Sequence, residues 1–178
     1  MARGIWLADL ILGLDPGSRH TGYGVVAVDR DRVTHVAHGV IHLRENWAFA
    51  ERLRVLHLEL AALFERFAVH TTVVEKIFFG KNADSAFKLG HARGVCLLAA
   101  AQAGVPLEEY AARFVKKSVT GSGAASKEHV QMLVMAAIGL KSSASLELDA
   151  SDALALALTH ARLRDVNLRM KRAMEGNV

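Results

Sequence analysis

The sequence predicts a single α/β domain, a mixed five-stranded sheet flanked by helices, and three observations carry that reading. Ahead of Trp47 the chain holds three β-rich runs parted by short polar turns. From Trp47 the apolar residues change to a helical spacing, which places a helix between the third and fourth strands. Beyond it, strand-like and helical stretches alternate without an obvious linker. With 178 residues and 52% apolar content, the chain is long enough for one core and short for two ordinary domains.

Taken in order, Leu10 to Asp15 is a short apolar run closed by Pro16 and Gly17, the pattern of a buried strand ending in a turn. Thr21 to Asp29 and Val33 to Leu43 follow, separated by the charged residues Asp29 to Arg32, and complete an antiparallel meander. Leu53, Leu56, Leu60, Leu63, Phe64 and Phe67 mark one face of a helix spanning Trp47 to Phe67. Thr71 to Glu75 is a fourth strand, set parallel to the first by the helical crossover. After a loop from Lys76 to Lys81, the Ala-rich stretch Asn82 to Ala103 is helical, Val105 to Tyr110 supplies a fifth strand, and Ala112 to Val119 a short helix. Gly121 to Ala125 breaks the chain, Ser126 caps a helix running to Ile138, and Asp149 to Arg164 forms the last one. Residues 1–9 stand as an N-terminal extension, residues 10–164 as the domain, and residues 165–178, charged and poor in apolar residues, as a flexible tail.

Bulk properties narrow the functional classes. Lys plus Arg number 22 against 18 Asp plus Glu, a formal charge of +4 with a pI near 9.5, which suits a polyanionic partner without specifying one. The single cysteine, Cys96, lies in the apolar run Val95 to Ala101, which leaves no disulfide within one chain and no thiolate metal site. Asp9 interrupts the apolar N-terminus and no small-residue cleavage site follows, so no signal peptide is expected; no stretch reaches membrane-spanning length. A reduced cytoplasmic setting is the expectation.

Four carboxylates hold telling places. Asp15 ends the first strand, Glu75 ends the fourth, and Asp149 and Asp152 open the last helix. Each has an ordinary reading as well: Asp before Pro-Gly is a common turn residue, and Asp149 and Asp152 are a cap and a first-turn acid. Glu75 is harder to explain that way, because a carboxylate after Thr-Thr-Val-Val in a central strand is costly unless it meets a cation or a crevice. Neighbouring parallel strands would bring Asp15 and Glu75 out at their carboxyl ends, where open sheets bind ligands. Residues three apart on a helix share a face, so Asp149 and Asp152 can join them. An all-oxygen set suggests Mg²⁺, with Mn²⁺ as substitute; two ions about 4 Å apart would orient a water and stabilise a leaving oxygen at a phosphodiester.

These residues fall in recognisable stretches. Ile11-Leu-Gly-Leu-Asp-Pro-Gly-Ser-Arg-His-Thr-Gly-Tyr-Gly-Val25 resembles the opening strand pair of the RuvC family of Holliday junction resolvases. Glu75 with Phe78, Lys81-Asn-Ala-Asp-Ser85 and Lys88-Leu-Gly90 resembles its second motif, and Ala92-Arg-Gly94, Glu109-Tyr-Ala-Ala-Arg113 and Asp149-Ala-Ser-Asp-Ala-Leu-Ala155 extend the likeness from Leu10 to His160. The resemblance implies an RNase H-like fold and a homodimer that makes paired nicks in like-polarity strands of a four-way junction. It also implies Mg²⁺ at Asp15, Glu75, Asp149 and Asp152, and work beside the branch-migration proteins RuvA and RuvB. It places basic residues near the scissile strand at Lys116 and Lys127 and a junction-wedging aromatic at Phe78.

Read from chemistry alone, Phe78 and Phe79 beside Gly80 suit stacking on unpaired bases, or a place in the core. Lys81, Lys116, Lys117 and Lys127 suit phosphate contacts, or plain solvation. Gly121 to Lys127 lacks the Gly before Lys of a phosphate loop, and the nine histidines show no helical metal-ligand spacing. Arg19 and His20, in the turn after Asp15, are placed to touch a phosphate or simply to face solvent. Lys76 stands where familiar family members carry Gln. Three alternatives compete: an RNase H-like nuclease of the YqgF type, against which the Phe78 and Lys81-Asn-Ala-Asp-Ser85 region argues, a junction clamp that never cuts, and an actin-like ATPase, for whose second lobe the chain is too short.

Overall fold

The computed structural model describes residues 8–30, 32–76, 83–141 and 145–175. Five strands, β1 (Asp9–Asp15), β2 (His20–Asp29), β3 (Arg32–His42), β4 (Val69–Lys76) and β5 (Leu107–Ala111), form one sheet in the order β3-β2-β1-β4-β5. β2 runs antiparallel to both of its neighbours, β1 and β3, and β4 and β5 run parallel to β1, the mixed arrangement expected. The helices are α1 (Phe49–Arg66), α2 (Ala83–Gln102), α3 (Ala112–Thr120), α4 (Lys127–Ile138) and α5 (Leu148–Glu175).

Strand alternation sorts the side chains into two cores. Leu12, Leu14, Val25 and Val74 pack with Leu56, Leu60 and Leu63 of α1 and with Ala92, Cys96 and Ala99 of α2. On the other face Ile11, Val26 and Val73 meet Leu154, Leu156 and Leu158 of α5, with Val130 and Val134 of α4 and Val115 of α3. β1 is covered on both faces, which is why its sequence is an unbroken apolar run.

The α5 face has a special feature. A Cβ on Gly13 would stand 1.9 Å from the Ala153 carbonyl oxygen, one on Gly22 2.0 Å from that of Asp149, and one on Gly24 2.6 Å from Leu154 Cγ. Here α5 lies on bare backbone, and the glycines of β1 and β2 are required by this close approach.

Several boundaries differ from the sequence pattern. Asp9, expected in the extension, pairs with Val28 as the first residue of β1, and its carboxylate meets Arg164 and His70. β5 begins at Leu107 because Gly104, at φ 67°, turns the chain out of α2, and the Val105 N–H closes that turn on the Ala100 carbonyl. The last helix continues to Glu175, past Arg164, where composition suggests a flexible tail; no Gly or Pro occurs between Arg164 and Gly176, and Leu168, Met170 and Ala173 favour helix. Ser126 caps α4 as expected, its hydroxyl accepting from the His129 N–H at 3.2 Å. Phe78, Phe79 and Lys81 lie outside the described residues.

Candidate active site

The register of β1 and β4 pairs Leu14 with Val74, so the next residues, Asp15 and Glu75, stand side by side at the carboxyl ends of adjacent parallel strands. Alternation points both toward α5, since Leu14 and Val74 face α1 and α2. The third wall follows from the glycines: Gly22 is the β2 partner of Asp15, and the Asp149 carbonyl rests against it. That contact sets the first turn of α5 over the end of β1.

The resulting cleft has a volume of about 320 Å³. Asp15, Glu75 and Asp152 line it together with Lys116 of α3 and Lys127 of α4, above an apolar floor that includes Val115, Val130 and Leu156. Asp149 is not among the lining residues, though its charge acts on Asp15 and Lys127. Lys127 Nζ donates to Asp152 Oδ2 at 2.5 Å, and Lys116 Nζ donates to the Ala125 carbonyl at 3.1 Å. Lys117 is exposed and outside the lining, so of the adjacent lysines only Lys116 reaches the cleft.

Electrostatics mark this as a place that wants positive charge. Burial, reinforced by Glu75, Asp152 and Asp149, pushes the Asp15 carboxyl from 3.8 up to about 8, against an opposing pull from Lys127. Glu75 is raised by burial and by Asp152, with Lys127 and Lys116 opposing. Lys127 is raised through its hydrogen bond to Asp152 and the field of the other carboxylates.

This carries a stability consequence. In the unfolded chain Asp15 releases its proton near 3.8, whereas the folded protein holds it to about 8. Between those values the folded state binds more protons, so stability is greatest at the acid end and falls as pH rises, by up to ~1.4 kcal/mol per pH unit. Urea titrations with a chelator between pH 5 and pH 8 should show a shallower fall for Asp15→Asn than for the parent. Equal slopes would mean that the carboxyl is not held in this way.

One contributor escaped sequence reasoning except as part of a motif. Arg93 of α2 pairs with Glu109 of β5, and its Nε donates to the Glu75 carbonyl at 3.4 Å, tying together the ends of β4 and β5. The available signal was a charged residue directly before the apolar, Ala-rich run Gly94 to Ala101 of α2.

Two of the expected DNA contacts, Lys116 and Lys127, thus join three of the four carboxylates, and Asp149 stands beside them. Among the described residues no three His, Cys, Asp or Glu side chains form a finished coordination shell. The donor chemistry nevertheless fits a hard divalent cation, because it is all oxygen and includes a carboxylate whose raised proton affinity any cation would relieve.

A mixed sheet in this order, with α5 laid across it and carboxylates at the open ends of β1 and β4, defines an RNase H-like protein with an acidic, lysine-flanked centre. The chain belongs to the RuvC family: residues 11–160 match the family model described as Crossover junction endodeoxyribonuclease RuvC. A relative of that name from Bdellovibrio bacteriovorus is 48% identical over 165 residues, 93% of this chain and 97% of its own. The solved structure of Thermus thermophilus RuvC superposes with a TM-score of 0.80 at 35% identity, covering 89% of this chain and 96% of that one. A second structure, T. thermophilus RuvC in complex with Holliday junction substrate, gives 0.82 at 34% identity with the same coverage.

Proposed function

We propose that this chain resolves Holliday junctions by paired symmetric nicks in strands of like polarity, in DNA recombination and repair. The observation that carries the reading is the cleft in which Asp15, Glu75 and Asp152 meet Lys116 and Lys127. Family membership supplies the substrate class, a structure-selective choice of four-way DNA.

In this reading Asp15, Glu75, Asp149 and Asp152 hold two Mg²⁺ ions, with Mn²⁺ as substitute. When bound, such ions polarise the phosphodiester, generate a nucleophilic water and stabilise the leaving 3′ oxygen. The chain's own residues prepare the ground. Asp15 gives up its proton when positive charge arrives, and Glu75 is held in place through its backbone by Arg93. Lys116 and Lys127, on separate helices, offer ammonium groups to a phosphate at the mouth, Lys127 exchanging its bond to Asp152 for the substrate. In the same reading Phe78 stacks on unpaired bases at the branch, and Lys81 and Lys117 contact the DNA backbone.

A homodimer would place two such clefts on one junction. Phe87 and Leu98 of α2 are 69% and 51% exposed, and Gly90 and Gly94 between them have open space where a Cβ would stand. That stripe would let a second copy approach closely. RuvA and RuvB are the proposed partners in branch migration, and the cytoplasm the site of action; no helix among the described residues is long and apolar enough to cross a membrane.

The test is cleavage of a labelled four-way junction against matched duplex and single-stranded RNA, with Mg²⁺, Mn²⁺ or EDTA. Metal-dependent symmetric nicks confined to the junction are expected; tight binding without cutting would make the protein a clamp, and cleavage of RNA alone would move it to another branch of the fold. Lys116→Ala should lower the slope of log affinity against log salt by about 0.9, the loss of one phosphate contact. An unchanged slope removes Lys116 from the DNA contact.

A further inference from the structure

We infer that the chain carries a transition-metal site apart from the carboxylate cleft: a zinc-class divalent ion held between His20 of β2 and His42 of β3. The register pairs these residues across adjacent antiparallel strands, and both rings are exposed. Their Nδ1 atoms face each other at 3.0 Å, with the rings edge to face at 86°. Two ligands of one ion bound at 2.0–2.1 Å stand about 2.9 Å apart at a right angle and about 3.4 Å at the tetrahedral angle. At 3.0 Å the two nitrogens share a hydrogen bond, a separation close to the right-angle value, and the rings need open by only a few tenths of an ångström to reach the tetrahedral one.

The outer nitrogen points the same way. His42 Nε2 lies 3.9 Å from Glu147 Oε2, beyond hydrogen-bond distance but close enough for the carboxylate to add favourable charge beside a metal-bound imidazole. The neighbouring cation, Arg19, is neutralised by Glu45 at 3.0 Å, so it leaves little repulsion against an incoming ion.

Ligand type separates this site from the cleft. Imidazole nitrogens favour Zn²⁺, Ni²⁺ or Cu²⁺, whereas the carboxylates favour Mg²⁺ or Mn²⁺. Among the described residues no third His, Cys, Asp or Glu completes the shell, so water takes the remaining positions and binding is weaker than at a structural zinc. The ion would join β2 to β3 and, through Glu147, to the segment leading into α5. That segment already leans on β3 where His38 Nε2 meets the Ser145 carbonyl at 3.4 Å. Sequence spacing cannot show the pair, because its two members are brought together by strand register.

The experiment uses the full chain in excess Mg²⁺, with Cu²⁺ followed by electron paramagnetic resonance and Zn²⁺ by calorimetry and thermal melting. The expected result is an equivalent of Cu²⁺ showing coupling to two nitrogens, and a Zn²⁺-dependent rise in melting temperature. Both should be lost in His20→Gln and in His42→Gln and kept in His57→Gln on α1, while Glu147→Gln should weaken binding by about threefold, the loss of one exposed charge. The two His variants are independent, so failure of one to fold leaves the other as the test. Uptake that persists in both His variants would place the ion elsewhere, at His35 and His38, whose ring nitrogens stand 2.8 Å apart, or in the cleft if an all-oxygen signature disappears in Asp15→Asn, and would overturn the proposal. Absence of Zn²⁺ and Cu²⁺ binding in the parent would overturn it as well.

Discussion

Asp15→Asn should bind a four-way junction as tightly as the parent and cut it more slowly by on the order of 10²-fold or more, the scale of losing one strong electrostatic contact in a transition state. The side chain ends β1 beside Glu75 and below the first turn of α5, where burial and three other carboxylates act on it. Asparagine keeps the shape and removes the charge, so the fold and the basic rim remain while the cleft loses part of its cation affinity. Single-turnover cleavage with enzyme in excess, alongside a gel-shift titration, separates the two effects. Undiminished cutting would remove Asp15 from the mechanism, and a parallel loss of binding would mean that the carboxylate serves the DNA interface instead.

Gly22→Ala should destabilise the protein by about 3 kcal/mol or more, at the upper end of what overpacking costs. The added methyl carbon would stand 2.0 Å from the Asp149 carbonyl oxygen and 2.9 Å from the Ala150 nitrogen, both backbone atoms that no rotamer change can move. Relief requires α5 to lift from the sheet at the turn that carries Asp149, with Asp152 one turn on, so cleavage should fall even where the variant remains folded. Urea denaturation and cleavage at low temperature measure the two. A variant within 1 kcal/mol of the parent would mean that α5 rides farther from β2 than this geometry states.

Both predictions concern residues that sequence reading treated differently. Asp15 and Glu75 were legible because strand ends and alternation are local properties, and a carboxylate after an apolar run stands out by its desolvation cost. Gly22 was visible as one letter of a motif, but its purpose lies in an approach by a helix far along the chain, which no local pattern encodes. The same distinction separates Lys116 from Lys117. Adjacent in sequence and identical in chemistry, they part only because α3 turns one into the cleft and the other outward.

The sequence by itself determined the α/β class, the five strands and the relative direction of the first four, the Ser126 cap, and the positions of four carboxylates with their resemblance to a known family. These depend on hydrophobic period, capping and turn chemistry, all set within a few residues. The tertiary structure alone decided that α5 lies on the bare backbone of β1 and β2, that Arg93 ties Glu75 to β5, and that His20 meets His42. Each of these depends on the register between elements distant in the chain, which is fixed only when the two cores pack.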